Sequence, residues 1–326
     1  MKKTVFFVLA LVLVLVMALV GIAGCTNQTA KNKSIGIIQY VEHIALDSAR
    51  EGFIKALSDN GYVDGKNITI DVQNAQADQS NLSTISDRFV SNKVDLVLAI
   101  ATPAAQSIAG KTTEIPILAT AITDFVSAKL VNSNEAPGGN VSGTTDMNPI
   151  KEQIDLLVKL VPNVKTVGVI YTSSEDNSIL QAAIAKKAIE ALGLTYIEVT
   201  VTNSNDVQQA TQSIVGKCDA LYLPTDNVLA SSMPVVYGVT VQSKTPVICG
   251  ESGMVVNGGL ATLGINYTDL GYQTGLMAVK ILKGEAKPAT MPIESASKFD
   301  FAINGDVANE IGLKIPDDLT QYIIKK

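Results

Sequence analysis

The sequence predicts an α/β protein of two doubly wound parallel-sheet lobes. Short β-rich apolar runs alternate with amphipathic helical stretches, in units of about 25–30 residues, as strand–helix–strand crossovers require. The pattern restarts near residue 148. About ten strands in two successive sets therefore make two lobes rather than one large sheet.

The first set begins at residues 34–40 (SIGIIQY), a short β-rich run. Residues 45–60 follow with Leu46, Ala49, Phe53 and Leu57 at helical spacing, and Gly61 stops the helix. Residues 67–73 (NITIDVQ) alternate as a strand, and 81–91 carry Leu82, Ile85 and Phe89 on one helical stripe. Residues 94–100 (VDLVLAI) are nearly all apolar, as a strand covered on both faces must be. Pro103 then opens a helix, where its missing N–H does no harm, and 115–120 (IPILAT) form the next strand.

In the second set, Asn148-Pro149 starts a helix that runs to Leu160. Residues 165–171 form a strand, 178–192 a helix ended by Gly193, and 195–201 a strand. Ser204-Asn205-Asp206 caps the next helix. Residues 219–223 (DALYL) and 246–249 (PVIC) are strands with a helix between them. Residues 259–265 form another strand, 268–283 a long helix and 299–303 a final strand.

Ahead of this body, Lys2 and Lys3 precede an uncharged run from Thr4 to Ile22 that ends in Ile22-Ala23-Gly24-Cys25. Cations, an apolar stretch and small residues make a secretory leader. The last four residues resemble a bacterial lipobox. Residues 1–24 are therefore read as a lipoprotein signal peptide and Cys25 as the lipidated N-terminus, an uncleaved anchor being the alternative. Residues 25–33 are polar and aperiodic, a flexible tether.

Without Lys2 and Lys3 the formal charge moves from −6 to −8, and no basic stripe is present, so nucleic acid is not an expected partner. One histidine and three scattered cysteines give no clustered ligand set, so no metal or cofactor is expected. Cys218 and Cys249 are read as free thiols. A nucleophile needs an adjacent base, and no G-x-S-x-G elbow, P-loop or Gly-rich dinucleotide turn occurs. The chain is read as a binding protein and not an enzyme.

The segments IGIIQYVEHIALDSAREGF, NAQADQSNLSTIS, DLVLAIATPAAQ, TVTNSNDVQQA, LYLPTDN and ATLGINYTDLGYQTG, in order over residues 34–316, resemble the solute-binding lipoproteins of ABC importers, specifically the aromatic amino-acid, tryptophan-binding type. The resemblance implies the type I periplasmic-binding architecture, two α/β lobes joined by three crossovers. Laid on this chain, it puts residues 34–146 and 259–292 in an N-lobe and 147–258 and 293–326 in a C-lobe. Crossovers then fall near Thr145, Gly258 and Pro292. It implies a monomer that delivers an amino acid to an ABC permease and its ATPase. A ligand sensor for a membrane receptor and a secreted α/β enzyme on small amides or sugars are the alternatives.

Ligands bind outside the carboxyl ends of parallel strands. That selects loops containing Tyr40, Glu42 and His43, then Thr102 and Ala104, then Ala121 and Thr123 in the first lobe. In the second lobe it selects Ser173 and Ser174, Asp226 and Asn227, and Glu251, with Asp146 near a crossover. These loops hold hydroxyls, amides and carboxylates but neither arginine (Arg50, Arg88), which disfavours a phosphate or dicarboxylate. The resemblance implies that Thr102, Ala121 and Thr123 hold the ligand carboxylate and Glu251 the ammonium, Asp226 being a further acidic candidate. Plain readings stand beside these: Thr102, Thr123 and Asp226 as helix caps, Tyr40 as a packed strand end, His43 as a rim residue.

Overall fold

The computed structural model describes residues 32–296 and 298–324. The stretch read as a leader, Cys25 with its expected lipid, and most of the expected tether lie outside them. The first sheet contains β1 (Lys33–Gln39), β2 (Ile68–Asn74), β3 (Leu96–Ile100), β4 (Ile117–Ile122) and β5 (Val141–Thr145). Helices α1 (Ile44–Asp59), α2 (Gln79–Ser91) and α3 (Thr102–Ala109) connect its first four strands. The second sheet contains β6 (Thr166–Thr172), β7 (Thr195–Val201), β8 (Ala220–Leu223), β9 (Val247–Cys249) and β10 (Ala261–Gly264). Between them lie α4 (Ile150–Leu160), α5 (Asp176–Ala191), α6 (Val207–Val215), α7 (Asn227–Ser231), α8 (Met233–Ser243) and α9 (Ser252–Val256). The chain returns through α10 (Tyr267–Leu282) to β11 (Glu294–Ser295) in the first sheet. It ends with β12 (Asp300–Ile303) and α11 (Gly305–Ile311) on the second.

Strand order is β11-β5-β4-β3-β1-β2 in one sheet and β12-β10-β9-β8-β6-β7 in the other. Pairing is parallel except where β12 runs antiparallel to β10. The apolar strands are the central ones: every residue of β3 and β4 is buried. The helical stripe read from the sequence is the buried face of α2, with Leu82, Ile85 and Phe89 inside and Asp78 accepting the Asn81 N–H at the N-cap. Helices α1 and α10 lie against each other so closely that a Cβ on Gly271 would stand 1.9 Å from the Ala49 carbonyl oxygen. Cys218 and Cys249 are free thiols. Among the described residues no helix is long and apolar enough to cross a membrane.

Two lobe boundaries differ from the sequence expectation. Residues 259–264, expected in the N-lobe, belong to the second sheet: Ala261 of β10 stands opposite Ile248 of β9 and Ile303 of β12. An apolar run such as GLATLGI suits either sheet, and the pairing partner decides; the crossing follows at Ile265–Asn266. Residues 294 and 295, expected in the C-lobe, pair with Thr144 and Thr145 of β5, so the last crossing lies between β11 and β12. Neither β5 (VSGTT) nor β11 (ES) carries a β-rich apolar pattern. Gly143 makes β5 fit: at φ +151°, a Cβ there would lie 1.8 Å from the Ala119 carbonyl oxygen.

Candidate ligand-binding site

The loops at the carboxyl ends of β1, β4, β6 and β8 meet the first crossing between the two sheets, where an α/β ligand site belongs. His43, Ala121, Thr123, Asp146 and Tyr267 face Asn177, Thr225, Asp226 and Asn227 around a small, nearly closed space of about 10 Å³. The lobes are clasped over it. Gln181 Nε2 of α5 donates to Thr123 Oγ1 at 2.8 Å, Gln106 Nε2 of α3 to Asp176 Oδ2 at 2.8 Å, and His43 Nε2 lies 3.3 Å from Asn227 Oδ1.

The backbone is strained where the first lobe meets this space. Ala101 and Ala121, at the ends of β3 and β4, have φ of +81° and +57°, a region alanine rarely enters. Such strain persists only where surroundings hold it and concentrates at binding sites.

The carboxylates divide by what they already bind. Asp226 is spent on its own lobe: Oδ2 accepts from the Thr172 N–H at 2.6 Å, and Oδ1 from the Thr172 hydroxyl at 2.8 Å and the Leu229 N–H at 2.9 Å. Glu251 is spent likewise, accepting from the N–H groups of Gly253 and Met254 as the cap of α9, and does not line the cavity. Glu175 is different. Its Oε2 accepts from Asn227 Nδ2 at 2.5 Å and Asn177 Nδ2 at 3.2 Å, but its buried Oε1 has no partner. Asp146 Oδ2 accepts from the Tyr267 hydroxyl at 2.7 Å, while its buried Oδ1 has none. The same holds for His43 Nδ1, Thr102 Oγ1 and Asn177 Oδ1. Buried polar atoms without partners are rare in folded proteins, so this group wants an explanation.

Burial sets the protonation. It lifts Glu175 to about 8, helped by the Asp226 charge, and Asp146 to about 6 against the hydrogen bond from Tyr267. It lifts Asp226 as well, and Glu251 to about 7 against its two backbone N–H bonds. It lowers His43 to about 4, so the ring is neutral. No arginine or lysine lines the space. Burial keeps these carboxyls reluctant to ionise alone; once ionised they present acceptors and negative potential, the complement of a cationic hydrogen-bond donor.

Of the residues selected from the sequence, Ala121, Thr123, Asp146, Asp226 and Asn227 line the cavity. Thr102 is buried and lines a wider groove that shares Asn177 with it. Tyr40 is buried outside the lining, its hydroxyl 3.4 Å from the Ala77 carbonyl, and Ala104 is packed inside the first lobe. Glu42, Ser173 and Ser174 are exposed. His43, read as a rim residue, is buried and lines the cavity. Glu175 and Asn177 escaped the sequence reading by position alone: Glu175 follows Ser174 at the end of the loop as the N-cap of α5, and Asn177 lies in the first turn of that helix. Tyr267 escaped it because it opens a helix whose apolar stripe accounts for it.

The profile of the ABC transporter substrate binding protein family matches residues 34–325. A tyrosine-binding protein of Clostridioides difficile is 44% identical over 298 residues, 91% of this chain and 86% of its own. An ABC domain from Streptococcus pneumoniae in complex with L-Trp shares 40% identity and superimposes with a TM-score of 0.87, covering 90% of this chain and all of that one. A ligand-free, open substrate-binding protein from Clostridium difficile shares 46% identity over 90% of this chain and 99% of its own, yet its TM-score is 0.68. Two lobes in doubly wound order, three crossings, a polar cavity between them and a family profile spanning both agree: the chain belongs to the ABC transporter substrate-binding proteins.

Proposed function

We propose that this protein captures an aromatic amino acid between its lobes, outside the cytoplasm, and passes it to the permease of an ABC importer. A lipid on Cys25 holds it to the membrane, and it works as a monomer that returns its ligand unchanged. The observation that carries the reading is the set of buried, unpartnered polar atoms that both lobes bring together here: His43 Nδ1, Asp146 Oδ1 and Asn177 Oδ1 on residues lining the space, with Glu175 Oε1 and Thr102 Oγ1 on residues outside its lining. An α-amino acid answers it. The ammonium brings charged N–H donors to Glu175 Oε1, Asn177 Oδ1 and Asp146 Oδ1, where hydrogen bonds to charged groups are worth about 1.5–3 kcal/mol each. The carboxylate meets the Thr102 hydroxyl and the N–H groups at the start of α3, which a helix N-terminus offers to anions. Glu175 thus takes the role that the family resemblance gives Glu251.

The tyrosine and tryptophan named for the relatives support the aromatic side chain. Conformation adds a second line of support. Similarity is higher to the L-Trp complex than to the open form, although identity to the open form is greater. That order follows if the clasped lobes here are the ligand-holding arrangement. A ligand drives closure only when it touches both lobes in the closed state.

Thermal unfolding with each of the twenty amino acids tests the reading. Tyrosine or tryptophan at 100 times its dissociation constant stabilises by about 2.7 kcal/mol. A melt unmoved by every amino acid would sink the proposal, as would recovery of a chemically altered ligand.

A further inference from the structure

Resting on the amino-acid reading above, we infer that His43 selects an aromatic ligand whose ring carries its own hydrogen-bond donor, a phenol O–H or an indole N–H, over one that carries none. The argument is one of donor and acceptor arithmetic. Glu175 Oε2 accepts from the Asn227 backbone N–H and from Asn177 Nδ2; in the ionised, ligand-holding site a carboxylate oxygen only accepts, so the Asn227 side chain turns its amino group toward it, at 2.5 Å. That orientation leaves Asn227 Oδ1 facing His43 Nε2 at 3.3 Å. An amide oxygen only accepts, so Nε2 carries the proton. A neutral imidazole has one N–H, and His43 Nδ1 is therefore a bare lone pair, buried and without a partner.

The other orphans, Asn177 and Asp146 in the cavity lining and Glu175 outside it, are acceptors too, the carboxyls once a bound cation has ionised them. Asn177 spends its amino group on Glu175, Ser178 and the Thr225 carbonyl, leaving Oδ1. Asp146 Oδ1 and Glu175 Oε1 are carboxylate oxygens. With His43 Nδ1 this makes four acceptors awaiting donors. An α-ammonium supplies only three N–H bonds. The two carboxylates and the amide oxygen match that charge, and the neutral imidazole is left for the side chain. Tyrosine and tryptophan each bring one more donor. Phenylalanine brings none and leaves a buried acceptor dry, which a site built to hydrogen-bond its ligand does not tolerate.

Isothermal titration with L-tyrosine, L-tryptophan and L-phenylalanine, on the wild type and on His43→Phe, tests this. At least one of the first two should bind the wild type about tenfold or more tighter than phenylalanine, the scale of an unmade buried hydrogen bond. In His43→Phe that preference should shrink to within about threefold, whatever the lost His43–Asn227 contact between the lobes does to all three affinities. Because His43 is the only histidine in the chain, ¹⁵N-histidine labelling gives one ring spectrum, whether or not the variant folds. The free protein should show the Nε2–H form, and the preferred ligand should shift Nδ1 where phenylalanine does not. Equal wild-type affinities, a preference that survives His43→Phe, or an Nδ1 resonance indifferent to the preferred ligand would overturn the inference. Failure of all three amino acids to bind would instead remove the amino-acid reading beneath it.

Discussion

Gln181 of the second lobe donates from Nε2 to the hydroxyl of Thr123 in the first at 2.8 Å. The same side chain donates to the Thr225 carbonyl at 3.2 Å and accepts the Thr225 N–H at 3.1 Å. It is 1% exposed. Gln181 is thus fixed to its own lobe by Thr225 and reaches across to the other through one bond, which only the closed form makes. Gln181→Ala removes that bond and leaves the Thr225 groups to water when the lobes part. The expected result is about a tenfold loss of ligand affinity, roughly 1.4 kcal/mol. Small-angle scattering of the liganded variant should show a larger open fraction. Wild-type affinity would mean the bridge does not contribute to closure.

The proposed contact between Glu175 and the ligand ammonium would link capture to pH. In the free protein its carboxyl is lifted to about 8 by burial and by Asp226. A ligand ammonium against Oε1 favours the carboxylate, so binding below that pH must expel a proton. Affinity therefore falls as pH drops below about 8, by up to tenfold per unit. Titration calorimetry in two buffers of different ionisation enthalpy should detect the released proton at pH 6.5. Glu175→Gln keeps the shape, binds more weakly, and should flatten the pH profile. An unchanged profile in that variant would assign the proton elsewhere.

The stability of the free protein runs the other way. A carboxyl with a raised folded value contributes stability that is full below its ordinary range and lost as pH rises through the folded value. Asp146 at about 6, Glu251 at about 7 and Glu175 at about 8 all act in this sense. His43, lowered to about 4, opposes them, its contribution being lost as pH falls below about 6.5. Asp226, also raised by burial, acts in the same sense, and four groups against one make the ligand-free melting temperature fall between pH 6.5 and 8.5, where His43 no longer titrates. The same window should show the ligand-induced shift growing. A melting temperature rising through that window would contradict these burials.

The architecture was legible because its signals are local. The period of each strand and helix lies within about a dozen residues, and fully covered strands such as β3 announce themselves as apolar runs. The lobe boundaries were less legible because sheet membership is a pairing between distant segments. Nothing in residues 259–265 alone says whether Ile248 or an N-lobe strand will be the partner. The site was legible to the level of the loop: the strand-end rule found the β6, β8 and β9 loops but not which acid in them keeps a free oxygen. Asp226 and Glu251 stand at the N-caps of α7 and α9, and a cap position in sequence looks the same as a binding position. Only the count of hydrogen bonds separates them from Glu175.

The role of Glu251 can be settled by separating stability from affinity. Its two oxygens accept the Gly253 and Met254 N–H groups, and it makes no other hydrogen bond to a side chain across the cleft. Glu251→Ala deletes the cap of α9, which should lower stability by about 1–2 kcal/mol. The first turn of α9 sits beside the other lobe, Gly253 lying against Ile44, so some loosening of the closed form is expected as well. Glu251→Gln keeps one cap acceptor and should recover most of the loss. Tyrosine or tryptophan affinity in Glu251→Gln should stay within about twofold of wild type, whereas Glu175→Gln should weaken it by about tenfold or more, the scale of a hydrogen bond to a charged group. Both variants are isosteric and both remove a buried carboxyl, so the difference between them isolates contact with the ammonium. A stronger effect at Glu251 than at Glu175 would return the ammonium to the loop after β9.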